Sequence, residues 1–298
     1  FLKKTPCSTE TRMGPAVTVL GSGSAGNTTL LEADGFSLLI DVGLGPRQIA
    51  TRLATVGVSW PRIRAVLLTH THGDHWNDRA LAHVLKLRIP VWCHADHLAV
   101  LRKHCSCFKA MQRAKLFRTY EPDHRWLFTG LLQCRPLSVR HDSGATFGFR
   151  FDGAANLFGR AWSLGYATDL GCWDAPLVEG LADVDLLAVE FNHDVGMQVA
   201  SGRSARLIER VLGDEGHLSN EQAAGLAAAV VRRSAPRRLA RLVQLHLSRE
   251  CNRPDLARRA ARQTLAQLDA QAEIHTAEQD APLPRLFFTA DHDAASAA

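Results

Sequence analysis

The stretch Leu67–Asp78, LLTHTHGDHWND, ends an apolar run with three histidines and an aspartate inside six positions, His70 to His75. Imidazoles and carboxylates are costly to bury unless something satisfies them. The apolar approach argues against simple exposure, so the cluster is expected to hold something. In an extended segment residues two apart point to one side, which sets His70 and His72 together. Gly73 permits a sharp turn, and Asp74 and His75 then project from the start of the following helix. This spacing allows two adjoining pockets, one at His70/His72 and one at Asp74/His75, of donor types that suit divalent metals such as Zn²⁺. The competing reading is a hydrogen-bonded polar strand end with no ion.

Strand and helix signals alternate around this cluster. Strands are expected at Ala16–Leu20, Thr28–Glu32 and Ser37–Asp41, with Asp34-Gly35 as a hairpin turn. A short helix closed by Gly57, a buried strand RAVLLT, a helix NDRALAHVLKL and a strand IPVWCHA follow. Residues 98–135 mix basic and aromatic residues with little period and resist assignment. Strands return in LSVRHD, TFGFRFDG, WSLGYATD, DVDLLAVEFNHD and RLARLVQLHLS. Two helices are expected among them, SNEQAAGLAAAVVRR, with Ser219 and Gln222 as a capping box, and RPDLARRAARQTLAQL. Nothing marks a linker, so one domain over residues 16–278 is expected. Residues 1–15 read as a leader and 279–298 as a tail. No run of about 18 apolar residues is present, so no membrane span is expected.

Other polar residues stand where apolar runs stop: His141 after LSVR, Asp169 after SLGYAT and His246 after RLVQL. Each is a weak signal alone, and together with the HxHxDH cluster they suggest one shared site. In their order and rough spacing these residues resemble the metallo-β-lactamase fold hydrolases, and more closely the small YycJ/WalJ-like group. GSGSAGNTTLLE, LLIDVG, RHDSG, ATDLG, EFNHD, GHLSN and HLSRECNRP are all similar to signatures of that group, over about residues 16–275.

The resemblance implies an α/β fold of four layers, an αβ/βα sandwich, with a two-metal site at one edge of its sheets. It implies that His70, His72 and His141 hold one ion, that Asp74, His75 and His246 hold the other, and that Asp169 bridges them. Asp41 is implied as a partner that orients the histidine loop. Two ions would lower the pKa of a shared water and clamp the oxygens of a phosphodiester, with Asp74 placed to orient or deprotonate that water. Zn²⁺ is the first choice of ion and Mn²⁺ the second. His217 stands just before the capped helix, whose N-terminal amides favour an anion, and could contact a phosphate or protonate a leaving oxygen. The competing reading is a loop histidine that caps backbone. Glu190 or His193 could buttress the site, and Asn27 or Ser24 could touch substrate. GSGSAGN lacks the GK[ST] of a P-loop. His94, His97, His104 and His124 read as surface or core histidines.

Charge bears on the partner. Thirteen arginines stand against six acids between Arg203 and Arg262, which suits a polyanion or else reflects solvated helix faces. Seven cysteines without a CxxC pair fit free thiols and a cytoplasmic location. Cys105 and Cys107 form a C-x-C that lacks a second pair and read as structural or surface thiols. The expected function is a metal-dependent phosphodiesterase, a 5′-to-3′ exonuclease on nucleic acid with DNA ahead of RNA. The alternatives are a thioester or lactone hydrolase on the same fold and a non-catalytic metal-bound scaffold.

Overall fold

Apolar runs here are continuous rather than alternating because most strands are covered on both faces. The computed structural model describes residues 14–155 and 160–288, so the expected leader lies outside it except for residues 14 and 15. One sheet contains Ala16–Gly21 (β1), Thr28–Ala33 (β2), Phe36–Ile40 (β3), Ile63–Leu67 (β4), Val91–His94 (β5), Phe117–Tyr120 (β6) and Leu286–Phe287 (β14), in the spatial order β14-β1-β2-β3-β4-β5-β6. The other contains Trp126–Thr129 (β7), Leu132–Val139 (β8), Thr146–Gly153 (β9), Trp162–Ala167 (β10), Leu186–Glu190 (β11), Arg241–Leu245 (β12) and Glu273–Thr276 (β13), in the order β13-β12-β11-β10-β9-β8-β7. The turn between β2 and β3 has Asp34 and Gly35 both at positive φ, 50° and 77°, as a two-residue hairpin requires.

Successive strand residues point to opposite faces, and this divides the apolar side chains among three cores. Leu31, Leu38, Ile40 and Leu67 of the first sheet meet Phe149, Leu164, Ala188 and Val243 of the second. Leu30, Leu39 and Val66 point outward instead, onto helices Pro46–Ala54 (α1), Asp78–Lys86 (α2), His97–His104 (α3) and Phe108–Arg113 (α4). On the far side Leu187, Val189 and Leu242 pack on Ala175–Leu181 (α5), Asn220–Arg233 (α8) and Pro254–Ala266 (α9). Three cores between helix, sheet, sheet and helix make the four-layer sandwich that the resemblance implied. Each Leu buried there stabilises the fold by about 1.5–3 kcal/mol. Val195–Val199 (α6) and Ala205–Leu212 (α7) lie between β11 and α8 in the chain. Among the described residues no helix is long and apolar enough to cross a membrane. The Ser219–Gln222 capping box forms: the Ser219 hydroxyl accepts from the Gln222 amide at 3.2 Å, and the Gln222 side chain accepts from the Ser219 amide at 2.9 Å.

Two expectations need revision. Residues 98–135 are ordered as most of α3, then α4, β6, β7 and the start of β8, so the LSV of LSVRHD ends a longer strand and Arg140, His141 and Asp142 lie beyond it. This segment carries the chain from one sheet's edge strand to the other's. Tyr120 stacks on Trp126 at 5.7 Å, and Trp126 on Trp92 at 5.2 Å, which joins those edges with aromatic rings. The tail expected over 279–298 is part of the fold as far as it is described. Leu286 and Phe287 pair with Val17 and Ala16, and Phe288 is buried against Trp162 with ring centroids 4.3 Å apart. Residues 289–298 lie outside the described residues.

Candidate metal centre

The carboxyl ends of β3, β4, β10, β11 and β12 open onto one edge of the sandwich, and the polar residues that follow those strands gather there. Three of the turns use left-handed backbone: Asp41 at φ 59°, Asp169 at φ 58° and His246 at φ 52°. Asp and His adopt that region more readily than most residues, and strained backbone of this kind concentrates at functional sites. Close backbone contacts hold the loops in register. Asn27 donates its amide to the Asp74 carbonyl at 2.7 Å, and Gly43 donates to Asn27 at 2.9 Å. A side chain at Gly43 would run into the Asp74 carbonyl.

The structure brings all seven expected ligands to this edge. Potential donor atoms of His70, His72 and His141 lie within 4.8 Å of one another, as do those of Asp74, His75, Asp169 and His246. The two groups adjoin: the His70 and His75 rings are 3.9 Å apart, and Asp169 Oδ1 is 3.9 Å from His141 Nε2. Asp169 Oδ2 also lies 3.0 Å from His75 Nε2, and Oδ1 3.4 Å from His246 Nδ1. Asp74 Oδ2 is 3.1 Å from His246 Nε2.

A surrounding layer orients these rings. Asp41, fully buried, accepts from the Thr69 amide at 2.9 Å and the Thr69 hydroxyl at 2.8 Å, and lies 2.7 Å from His75 Nδ1. His141 Nδ1 is 2.9 Å from the Gly216 carbonyl, which leaves Nε2 for the centre. Glu190 accepts from the amides of Asp169 at 3.0 Å and Leu218 at 2.7 Å, and its Oε2 is 3.0 Å from His217 Nδ1. With Nδ1 so engaged, Nε2 of His217 is the ring's free nitrogen.

Other expected residues divide. Glu190 sits against the cluster, whereas both ring nitrogens of buried His193 lack a hydrogen-bond partner and touch none of the expected ligands by hydrogen bond or ion pair. Asn27 Nδ2 reaches Asp74 Oδ2 at 3.2 Å and His75 Nε2 at 3.0 Å, while Ser24 is exposed. Sequence reading placed Asn192 of EFNHD at this edge without a role, and missed Thr69, Asp142 and Arg210. Asn192 Nδ2 reaches the His246 carbonyl at 2.9 Å. Asp142 Oδ1 lies 3.5 Å from both His72 Nε2 and His141 Nε2, and its other oxygen pairs with Arg210 of α7. The one available signal was Asp142's place directly after His141. His97 is buried and bonds the Ala145 carbonyl at 2.8 Å, and His104 and His124 are exposed.

Electrostatics separates the two groups. Burial pushes the His70 imidazole well below 6.5, and burial likewise lowers His72 and His141. These three are therefore neutral, the form that offers a lone pair. Burial acts downward on His246 and His75 too, but the Asp169, Asp74 and Asp41 carboxylates outweigh it. His246 is held up at about 10 and His75 well above 6.5. For Asp169, burial acts upward and the surrounding imidazoles overcome it, keeping the carboxyl well below 3.8.

The residues fit divalent cations. His70 Nε2 is buried with no hydrogen-bond partner, an expensive arrangement for a polar atom. Five imidazoles and two carboxylates around it are a donor set suited to Zn²⁺ or Mn²⁺. A cation entering the Asp74/His75/His246 group must displace protons, so affinity should rise with pH. Calorimetric Zn²⁺ titration of the metal-free protein in buffers of different ionisation heat should show net proton release at pH 7. Its affinity should fall roughly tenfold per pH unit for each displaced proton between pH 9 and 7. Affinity flat with pH would contradict these protonation states. Metal-free stability runs the other way: the His246 contribution is complete below 6.5 and is lost as pH rises through about 10.

Residues 37–240 match the family described as the Beta-lactamase superfamily domain. The chain is 29% identical over 264 residues to Exodeoxyribonuclease WalJ of Streptococcus pneumoniae serotype 2, an alignment covering 86% of this chain and 90% of the relative. It is 24% identical over 282 residues to Exodeoxyribonuclease YycJ of Bacillus anthracis, covering 91% and 98%. In fold it is similar to the metallo-beta-lactamase fold protein YhfI of Bacillus subtilis, with a TM-score of 0.63, 17% identity, and 90% and 99% of the two chains covered.

Proposed function

Because this chain belongs to the beta-lactamase superfamily and is a metal-dependent hydrolase of its nuclease type, we propose that it is a phosphodiesterase that degrades DNA from the 5′ end. The observation that carries the reading is His217. It stands beside the seven-residue cluster with Nδ1 held by the buried Glu190 carboxylate and the other ring nitrogen free. Burial lowers its pKa, but Glu190 outweighs that and holds it above 6.5. That shift favours the protonated ring, which is fit to contact a phosphate and to pass a proton to a leaving oxygen.

In this reading His70, His72 and His141 would hold one divalent ion and Asp74, His75 and His246 a second, with Asp169 available to both. Such a pair supplies Lewis acidity, a lowered water pKa and charge neutralisation for a phosphodiester. The side chains supply the rest. Asp74, ionised and at the mouth of the cluster, accepts the proton of the attacking water. Glu190 fixes the tautomer and direction of His217. Asp41 and Thr69 hold the His75 ring, and the Arg210–Asp142 pair borders His72 and His141.

The basic segment supports a polyanionic substrate less strongly than its composition suggests. Arg203, Arg210, Arg233, Arg238, Arg241 and Arg249 are engaged in ion pairs. Arg258, Arg259 and Arg262 line a surface cavity of about 500 Å³ on α9. Grouped there beside Asp255, they would add phosphate attraction.

With Mn²⁺ or Zn²⁺, the purified protein should shorten 3′-labelled DNA progressively and release a 5′ label as a mononucleotide. His217→Gln should lower kcat by roughly 10²–10⁴-fold with little change in KM. Failure to digest any DNA, or faster turnover of a thioester than of bis-p-nitrophenyl phosphate, would reject the proposal.

A further inference from the structure

Away from the histidine cluster, three ligand-type side chains converge where α2 meets the α3–α4 turn. Cys105 follows α3, Cys107 precedes α4, and Asp78 is the first residue of α2. A potential donor atom from each lies within 4.8 Å of the other two. The Cys105 and Cys107 sulfurs are 3.5 Å apart. That is well outside the disulfide bond length of about 2.05 Å. It is close to the spacing of about 3.8 Å that two thiolates take on a tetrahedral ion at about 2.3 Å from each.

Ser106 pre-forms the arrangement. Its amide and hydroxyl both donate to the Asp78 carboxylate, at 2.8 and 2.7 Å, which fixes the carboxylate against the Cys-Ser-Cys turn. Cys105 is buried, whereas Cys107 and Asp78 are partly exposed, so an ion could enter and keep a water as its fourth ligand. The sequence alone could not show this, because Asp78 is 27 residues from Cys105.

We propose that Cys105, Cys107 and Asp78 form a second, thiolate-rich site for a thiophilic divalent cation, Zn²⁺ above all, separate from the histidine centre. Two sulfurs and a carboxylate favour Zn²⁺ over the harder Mn²⁺, so the two sites differ in selectivity. A bound ion would tie the α3–α4 turn to the first residue of α2, three positions after His75, and so brace the helix that follows the histidine loop. A redox pair is the poorer reading of the same sulfurs. Burial pushes the Cys105 thiol up to about 12, so without an ion it is a poor nucleophile, and an ion bound there would displace the protons of both thiols.

Cobalt distinguishes the sites, because the expected ligands of the histidine centre include no sulfur. The metal-free 298-residue chain loaded with Co²⁺ should show a thiolate-to-cobalt charge-transfer band in the near ultraviolet. The band should vanish in both Cys107→Ser and Cys105→Ser. Cys107→Ser should also bind about one Zn²⁺ fewer per chain than the wild type and lose part of the zinc-induced rise in Tm. Should Cys105→Ser misfold, Cys107→Ser and Asp78→Asn carry the test. The proposal is overturned by a cobalt-loaded wild type with no sulfur band, by a band that survives Cys107→Ser, or by an unchanged zinc count.

Discussion

Asp169→Asn is expected to abolish hydrolysis, lowering kcat/KM by at least about a thousandfold, or about 4 kcal/mol of barrier, and to empty the histidine cluster of metal. The carboxylate faces His75, His246, His217 and His141 at 3.0, 3.4, 3.8 and 3.9 Å. Asp74 meets His75 and His246 and Asp142 meets His72 and His141, whereas Asp169 reaches residues of both ligand groups. An amide removes the charge that offsets two cations and turns N–H donors toward imidazoles. Asn tolerates φ 58°, so the backbone should persist. Asp169→Ala would add about 1–2 kcal/mol of left-handed strain. Metal analysis, circular dichroism and DNA digestion on the same preparation check the claim. A folded Asp169→Asn protein that keeps its metal and activity within tenfold would refute it.

The central edge of the site was legible because its residues break a strong local rule. At β4, β10, β11 and β12 a buried apolar run ends in His, Asp or Glu rather than in turn residues, and each such break lies at the cluster. What lay beyond reach was set by tertiary contact. Asp142 meets Arg210, 68 residues away, and no local pattern announces that pair. The 98–135 stretch failed for another reason. α3 and α4 are only 8 and 6 residues long, and β6 and β7 only 4 each, too short for a hydrophobic period to emerge. Phe288 looked like tail because its burial depends on Trp162, whose place beside it is fixed only by the assembled sheets. The four layers themselves came from the resemblance. Continuous apolar strands imply cover on both faces but not what supplies it.

Asp41 is the position at which stability and metal affinity are most tightly joined. Its carboxylate is completely buried, yet it bonds three groups: the Thr69 amide, the Thr69 hydroxyl and the His75 ring. Asp41→Ala leaves two donors and an imidazole unsatisfied in the core and places a Cβ-bearing residue without polar help at φ 59°. Removing one partner of a buried, charged pair costs about 3–5 kcal/mol, a large share of a typical domain's 5–15 kcal/mol. Asp41→Asn separates the effects. It keeps the shape and tolerates the left-handed turn, but its neutral oxygen holds His75 less firmly. Loss of such an outer partner weakens metal binding by roughly 10–100-fold. Denaturant melts of the metal-free proteins should therefore rank wild type above Asp41→Asn and Asp41→Ala lowest, while zinc titration should show weakened binding already in Asp41→Asn. If Asp41→Asn bound zinc as tightly as the wild type, the carboxylate would be holding the strand end and not the ligand.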